Sequence, residues 1–84
     1  MVTIDIHVEK THLMYAPLLW CNKEFGPGYK MNETDTVVSE KFVDMKWCYT
    51  IFEQTGITRF GFKQARDATM FMLKWSKHVL DIHQ

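Results

Sequence analysis

Apolar and polar side chains alternate strictly at the start of the chain. Val2, Ile4, Ile6 and Val8 interleave with Thr3, Asp5, His7 and Glu9, a period of two that predicts a half-buried strand of roughly eight residues. Within residues 11–25, Pro17 suits the first turn of a helix, because proline lacks the amide N–H left unbonded there. Leu18, Leu19, Trp20 and Cys21 follow it, and Gly26-Pro27-Gly28 stops the element. One short helix fits. Residues 29–38 carry no clean period and hold Asn32, Glu33, Thr34 and Asp35, which reads as a surface loop. Residues 42–52 are ambiguous. A helix would scatter their apolar side chains around its circumference, whereas a strand places Val43, Met45, Trp47, Tyr49 and Ile51 on one face. Enrichment in β-branched and aromatic residues favours the strand over 45–53. Gln54-Thr55-Gly56 predicts a turn, and Ile57–Phe62 a partner strand with Thr58, Phe60 and Phe62 on one face.

From Lys63 the period turns helical and runs to about Leu80, with Ala65, Ala68, Met72, Trp75 and Val79 in one stripe and Phe71 widening it. Met70, Leu73 and Leu80 fall to its side among Arg66, Lys74 and Lys77. The predicted order β-α-β-β-α is an α+β fold, an antiparallel sheet with two helices on one face. It matches a ferredoxin-like split β-α-β arrangement that stops before a full fourth strand, since only residues 81–84 follow the helix.

The 84 residues are read as one domain, 1–84, which at this size buries only about 60% of the surface of its unfolded chain. Hydrophobic residues make up 46% of the sequence and aromatics 14%, a globular composition. Ten basic and ten acidic side chains cancel, so overall charge does not drive the chain onto nucleic acid or an anionic membrane. The balance is uneven along the chain. Residues 1–45 hold four basic and seven acidic side chains, a balance of −3, and residues 46–84 hold six and three, a balance of +3. No apolar run approaches the ~18 residues that span a bilayer. Neither a signal peptide nor a disulfide framework is visible around Cys21 and Cys48, so the expected location is cytoplasmic, with both thiols free and mostly buried.

Candidate chemistry is sparse. Arg59-Phe60-Gly61-Phe62 followed by Asp67-Ala68 resembles the RNP1 strand and second helix of an RNA-recognition motif, where strand aromatics stack on bases and basic residues hold phosphate. On that reading Arg59, Phe60, Phe62, Lys63 and Arg66 form a nucleic-acid surface. Against it, alternate strand residues beside an amphipathic helix are normally core. His78, Asp81 and His83 match no standard zinc spacing, Cys48 has no activating group for nucleophilic catalysis, and no phosphate loop or nucleophile elbow appears. The expectation is a protein without catalytic residues, metal or cofactor. The apolar surplus is the strongest clue. Met70, Leu73 and Leu80, with Met14, Tyr15 and Met31, exceed the needs of one small core and are residue types common at interfaces. Met70, Leu73, Lys74, Lys77 and Leu80 are therefore the candidate interface, for a homodimer or a protein partner.

Two segments carry a family resemblance. Trp20-Cys21-Asn22-Lys23-Glu24-Phe25-Gly26 reads W-C-x-x-x-F-G, and Phe60 to Trp75 reads F-G-F-x4-D-A-x-x-F-x-L-x-W. Together they resemble small uncharacterised accessory proteins of tailed bacteriophages, over about a third of the chain. The resemblance implies an accessory factor in an infected bacterial cell that binds a host or phage protein, and it assigns no catalytic residue.

Overall fold

In the computed structural model, which describes residues 2–7, 15–32, 45–52 and 54–83, the elements are β1 (Val2–His7), α1 (Ala16–Phe25), β2 (Tyr29–Lys30), β3 (Trp47–Phe52), β4 (Ile57–Phe62), α2 (Ala65–Trp75), a 3-10 turn (Ser76–His78) and β5 (Val79–His83). The fold is α+β. One sheet has the order β2-β3-β4-β1-β5, antiparallel throughout except where two-residue β2 runs parallel to β3. Since β4 is antiparallel to both neighbours, β1 and β3 run parallel with β4 between them. By the same reasoning β4 and β5 run parallel with β1 between them. Two split β-α-β units therefore interlock.

The strand register sorts the side chains onto two faces. Val2, Phe62 and Trp47 form one cross-strand row, Ile4, Phe60 and Tyr49 the next, and Ile6, Thr58 and Ile51 a third. This face lies under both helices. α1 buries Pro17, Cys21 and Phe25 at a spacing of four, which puts them on one side of the helix. Gly26 ends it with φ +84°, a conformation suited to glycine, and its amide donates to the Asn22 carbonyl at 3.1 Å. α2 buries Asp67, Ala68 and Phe71, the small Ala68 allowing close approach to the sheet. Aromatic rings knit the layers: Phe71 lies 4.6 Å from Phe60 and 5.2 Å from Phe62, and Trp20 of α1 sits edge-on to Phe25, Phe71 and Trp75. Gly26-Pro27-Gly28 straps across the Trp47 ring, whose Nε1 donates to the Gly26 carbonyl at 2.8 Å.

Several expectations change. The helix predicted to reach Leu80 ends at Trp75, and Val79–His83 forms the fourth long strand that the sequence reading lacked. Val79 misleads because it sits inward under either period, as the last residue of a helical stripe or opposite Ile6 in the ladder. β1 needs a partner on its outer edge for its N–H and C=O groups, and Val79–His83 supplies one. Leu80 is consequently an edge-strand residue where β1 and β5 lose register, not a helical one. The predicted loop over 29–38 begins instead as β2, continued by the Met31 amide donating to the Tyr49 carbonyl at 2.8 Å. Met45 and Lys46 precede β3 rather than belonging to it. Val8, residues 11–14, the rest of the loop prediction from Glu33, Val43 and Glu53 lie outside the described residues.

Candidate functional site

The face of the sheet away from the helices carries the charged side chains. Thr50, Arg59, Asp5 and Asp81 line up in one cross-strand row over β3, β4, β1 and β5, with Cys48, Gly61, Thr3 and His83 in the row beside it. Arg59 grips Asp5 with both ends of its fork, Nε to Oδ1 at 2.7 Å and Nη2 to Oδ2 at 3.0 Å. The guanidinium also lies 5.4 Å from the centre of the Phe52 ring, within cation–π range. His83 Nε2 stands 3.3 Å from Asp5 Oδ2 and 3.5 Å from Asp81 Oδ2.

Burial alone would raise the Asp5 carboxyl, but the Arg59 hydrogen bonds and charge, with those of His83, outweigh it and hold Asp5 below its ordinary 3.8. Its hydrogen bond to Asp5 shifts Arg59 upward, against burial, with the Asp5 and Asp81 charges adding to the rise. Chemically this is a closed pair. A carboxylate so clamped is a poor base at neutral pH, and a guanidinium so occupied has little left for a phosphate. Because the folded value of Asp5 is depressed, its stabilisation is present above about pH 4 and lost as pH falls through the folded value. Arg59→Met removes the clamp and leaves burial opposed by His83 alone. It is expected to cost about 1–2 kcal/mol at pH 7, low in the range for charged hydrogen bonds because Arg59 is half exposed. Urea unfolding of both proteins at several pH values should show that gap closing as pH falls through the depressed folded value of Asp5, once its carboxyl is protonated in both. A gap that does not change with pH would contradict the pairing.

The predicted residues divide cleanly. Phe60 and Phe62 are completely buried under the helices, so the base-stacking role considered for them is not available, and the face they would have needed presents Arg59 and Gly61 instead. Lys63 and Arg66 are exposed, and Arg66 lies 3.8 Å from Asp67 Oδ1 and 3.3 Å from Gln64 Oε1. Of the interface set, Met70, Leu73, Lys74 and Lys77 are exposed around the end of α2, and Leu80 is exposed on β5. Leu73 stands out at 77% exposure, with Leu19 of α1 at 68%. Lys74 lies 5.9 Å from the Trp75 ring, whose buried Nε1 finds no acceptor among the described residues. His78 sits on the 3-10 turn beside Trp75, at 6.4 Å between ring centres, and no group of three metal-ligating side chains assembles among the described residues. Cys21 and Cys48 are free and buried, Cys21 in the core on the inner side of α1 and Cys48 on the opposite side of the sheet. Burial pushes the Cys48 thiol up to about 11, against a backbone hydrogen bond with Gly61, and pushes Cys21 up as well; neither is an activated nucleophile. No helix among the described residues is long and apolar enough to cross a membrane.

The Asp5–Arg59 pair escaped the sequence reading. Its only signal is opposite charge in the polar phase of two alternating strands, which becomes meaningful once those strands are known to be neighbours. Set against protein-family models, curated proteins and solved structures, the chain matches none of them.

Proposed function

We propose that this chain is a non-enzymatic interaction module, a phage-type accessory factor that docks on a host or phage protein through the outer side of α2. The observation carrying this reading is Leu73, exposed at 77% with Met70 one turn before it. Large apolar side chains in that setting are the anchors that partner surfaces bury. The residue patterns behind the phage resemblance support it in a particular way. Cys21, Phe25, Phe60, Phe62, Ala68 and Phe71 belong to the core, with Trp20 and Trp75 packed against it, whereas Leu73 is the large apolar member left exposed. Lys74 and Lys77 flank it, so the fitting partner presents an apolar pocket with an acidic rim. With Phe60 and Phe62 in the core, β4 leaves no aromatic ring on the open face for a base to stack on.

Leu73→Asp tests the proposal, because an exposed position tolerates the charge with a stability change within about 0.5 kcal/mol. Folded wild-type protein immobilised and passed over lysate of an infected bacterial host is expected to retain a partner that Leu73→Asp and Met70→Asp release. A partner held equally by all three proteins would overturn the reading.

A further inference from the structure

Among the described residues, β5 has no strand on its outer side. Such edges are ordinarily blunted by lysine, proline or a covering element. Val79–His83 contains neither lysine nor proline, and Leu80 and Ile82 are exposed on it. The backbone there is turned outward: the Ile82 amide donates at 2.9 Å to the carboxylate of its own neighbour, Asp81. An amide N–H points one way, so this donor faces the open side rather than β1. In its cross-strand row Asp81 has Asp5 as its inner neighbour, whose charge Arg59 already answers, and its own nearest basic group is His83 of the same strand, at 3.5 Å.

We infer that β5 pairs antiparallel with β5 of a second copy of this chain, in the register that sets Ile82 opposite Ile82 on the two-fold axis. Independently of what docks on α2, charge selects the copy and the register. Antiparallel pairing about Ile82 puts Asp81 opposite His83 of the other copy, and His83 opposite its Asp81, on the face that already carries Asp5 and Arg59. Each row then reads Arg59, Asp5, Asp81 and the opposing His83, so the two adjacent carboxylates have a basic group at either end. Shifting the axis one residue to Asp81 would set two carboxylates against each other, which is unfavourable. At Ile82 the axis falls on an outward-facing residue, so the two amides and two carbonyls of the pair exchange hydrogen bonds. Asp81 releases the Ile82 amide to that exchange and turns to the opposing histidine. The two Ile82 side chains meet on the helix side of a sheet now continuous across the axis, an isologous contact of the kind closed dimers use.

Light scattering across a dilution series tests this, with circular dichroism confirming that each variant is folded. The wild-type protein is expected to show dimer mass that falls to monomer on dilution. Ile82→Pro deletes the outward N–H without touching the ladder to β1 and should give monomer at every concentration. His83→Asp sets carboxylate against carboxylate and should do the same, while Asp81→His combined with His83→Asp restores opposite charges and should recover the dimer. A wild-type monomer throughout, or a dimer that survives His83→Asp, would overturn the proposal. A dimer abolished by Leu73→Asp but kept by Ile82→Pro would place the copies on α2 and overturn it as well, leaving the interaction-module reading standing.

Discussion

Phe71→Ala is expected to lower the free energy of unfolding by about 3–5 kcal/mol, the range for truncating a buried phenylalanine. The position explains why the full range applies. Phe71 is completely buried where α2 crosses the sheet, with its ring centre 4.6 Å from Phe60, 5.2 Å from Phe62 and 6.1 Å from Trp20. Removing it leaves three aromatic rings facing a void, and rigid rings anchored on β4 and on α1 collapse poorly into it. Stability of about 0.05–0.15 kcal/mol per residue leaves a domain of this size with roughly 4–13 kcal/mol, so the change removes about a quarter of the total or more. The thermal midpoint should fall by about 12 °C or more. Leu73→Ala, two residues along the same helix and exposed, should stay within about 0.5 kcal/mol. Urea unfolding of the two variants checks the contrast, and equal effects would mean that α2 is rotated on the sheet.

Gly28→Ala is expected to cost about 3 kcal/mol, the upper end of overpacking. A Cβ on Gly28 would lie 2.6 Å from Trp47 Cδ2 and closer still to Cε2 and Cζ2. The indole has little room to yield. It is tied through Nε1 to the Gly26 carbonyl at 2.8 Å and stacked against Tyr49 and Phe60 at 5.5 and 6.1 Å. The backbone on the other side is held as well, because β2 and Met31 bond to β3 just beyond. Trp47→Phe removes the ring atoms that the new methyl would strike. The double variant Gly28→Ala/Trp47→Phe should therefore be more stable than the sum of the two single changes predicts. Additive costs in the unfolding free energies would show that the glycine's role is not to clear the indole.

What could be read in the sequence was whatever depends on neighbours along the chain. The alternation of Val2, Ile4 and Ile6 places β1, the aromatic and β-branched residues from Trp47 to Phe52 decide for a strand, and Ala68, Phe71, Met72 and Trp75 mark the inner side of α2, although Ala65, expected in the same stripe, is exposed. What escaped depends on which strands lie side by side. Nothing near Asp5 announces Arg59, 54 residues away, or near Gly28 announces Trp47. The end of α2 was hidden because Val79 is apolar and inward under both periods. Missing β5 also bears on the RNA comparison. A fourth strand is present, yet that does not revive the stacking role, because the phase of β4 decides it: with Ile57, Arg59 and Gly61 on the open face, Phe60 and Phe62 turn inward. In a strand, one position of shift moves every side chain to the other side.

The central place of β1 also sets a timetable. Its partners lie from 50 positions away, at His7 and Ile57, to 80 away, at Thr3 and His83. During synthesis at about 5–20 residues per second, β1 emerges first and waits several seconds for either neighbour. Through that interval Val2, Ile4 and Ile6 form an apolar strand without a mate, the sort of segment that chaperones hold and aggregates recruit. Helices α1 and α2 need only hydrogen bonds between residues close along the chain, while the sheet must close long loops before any long-range contact repays the lost chain entropy. Folding speed in this molecule is thus governed less by its helices than by how quickly its earliest strand is met by its latest.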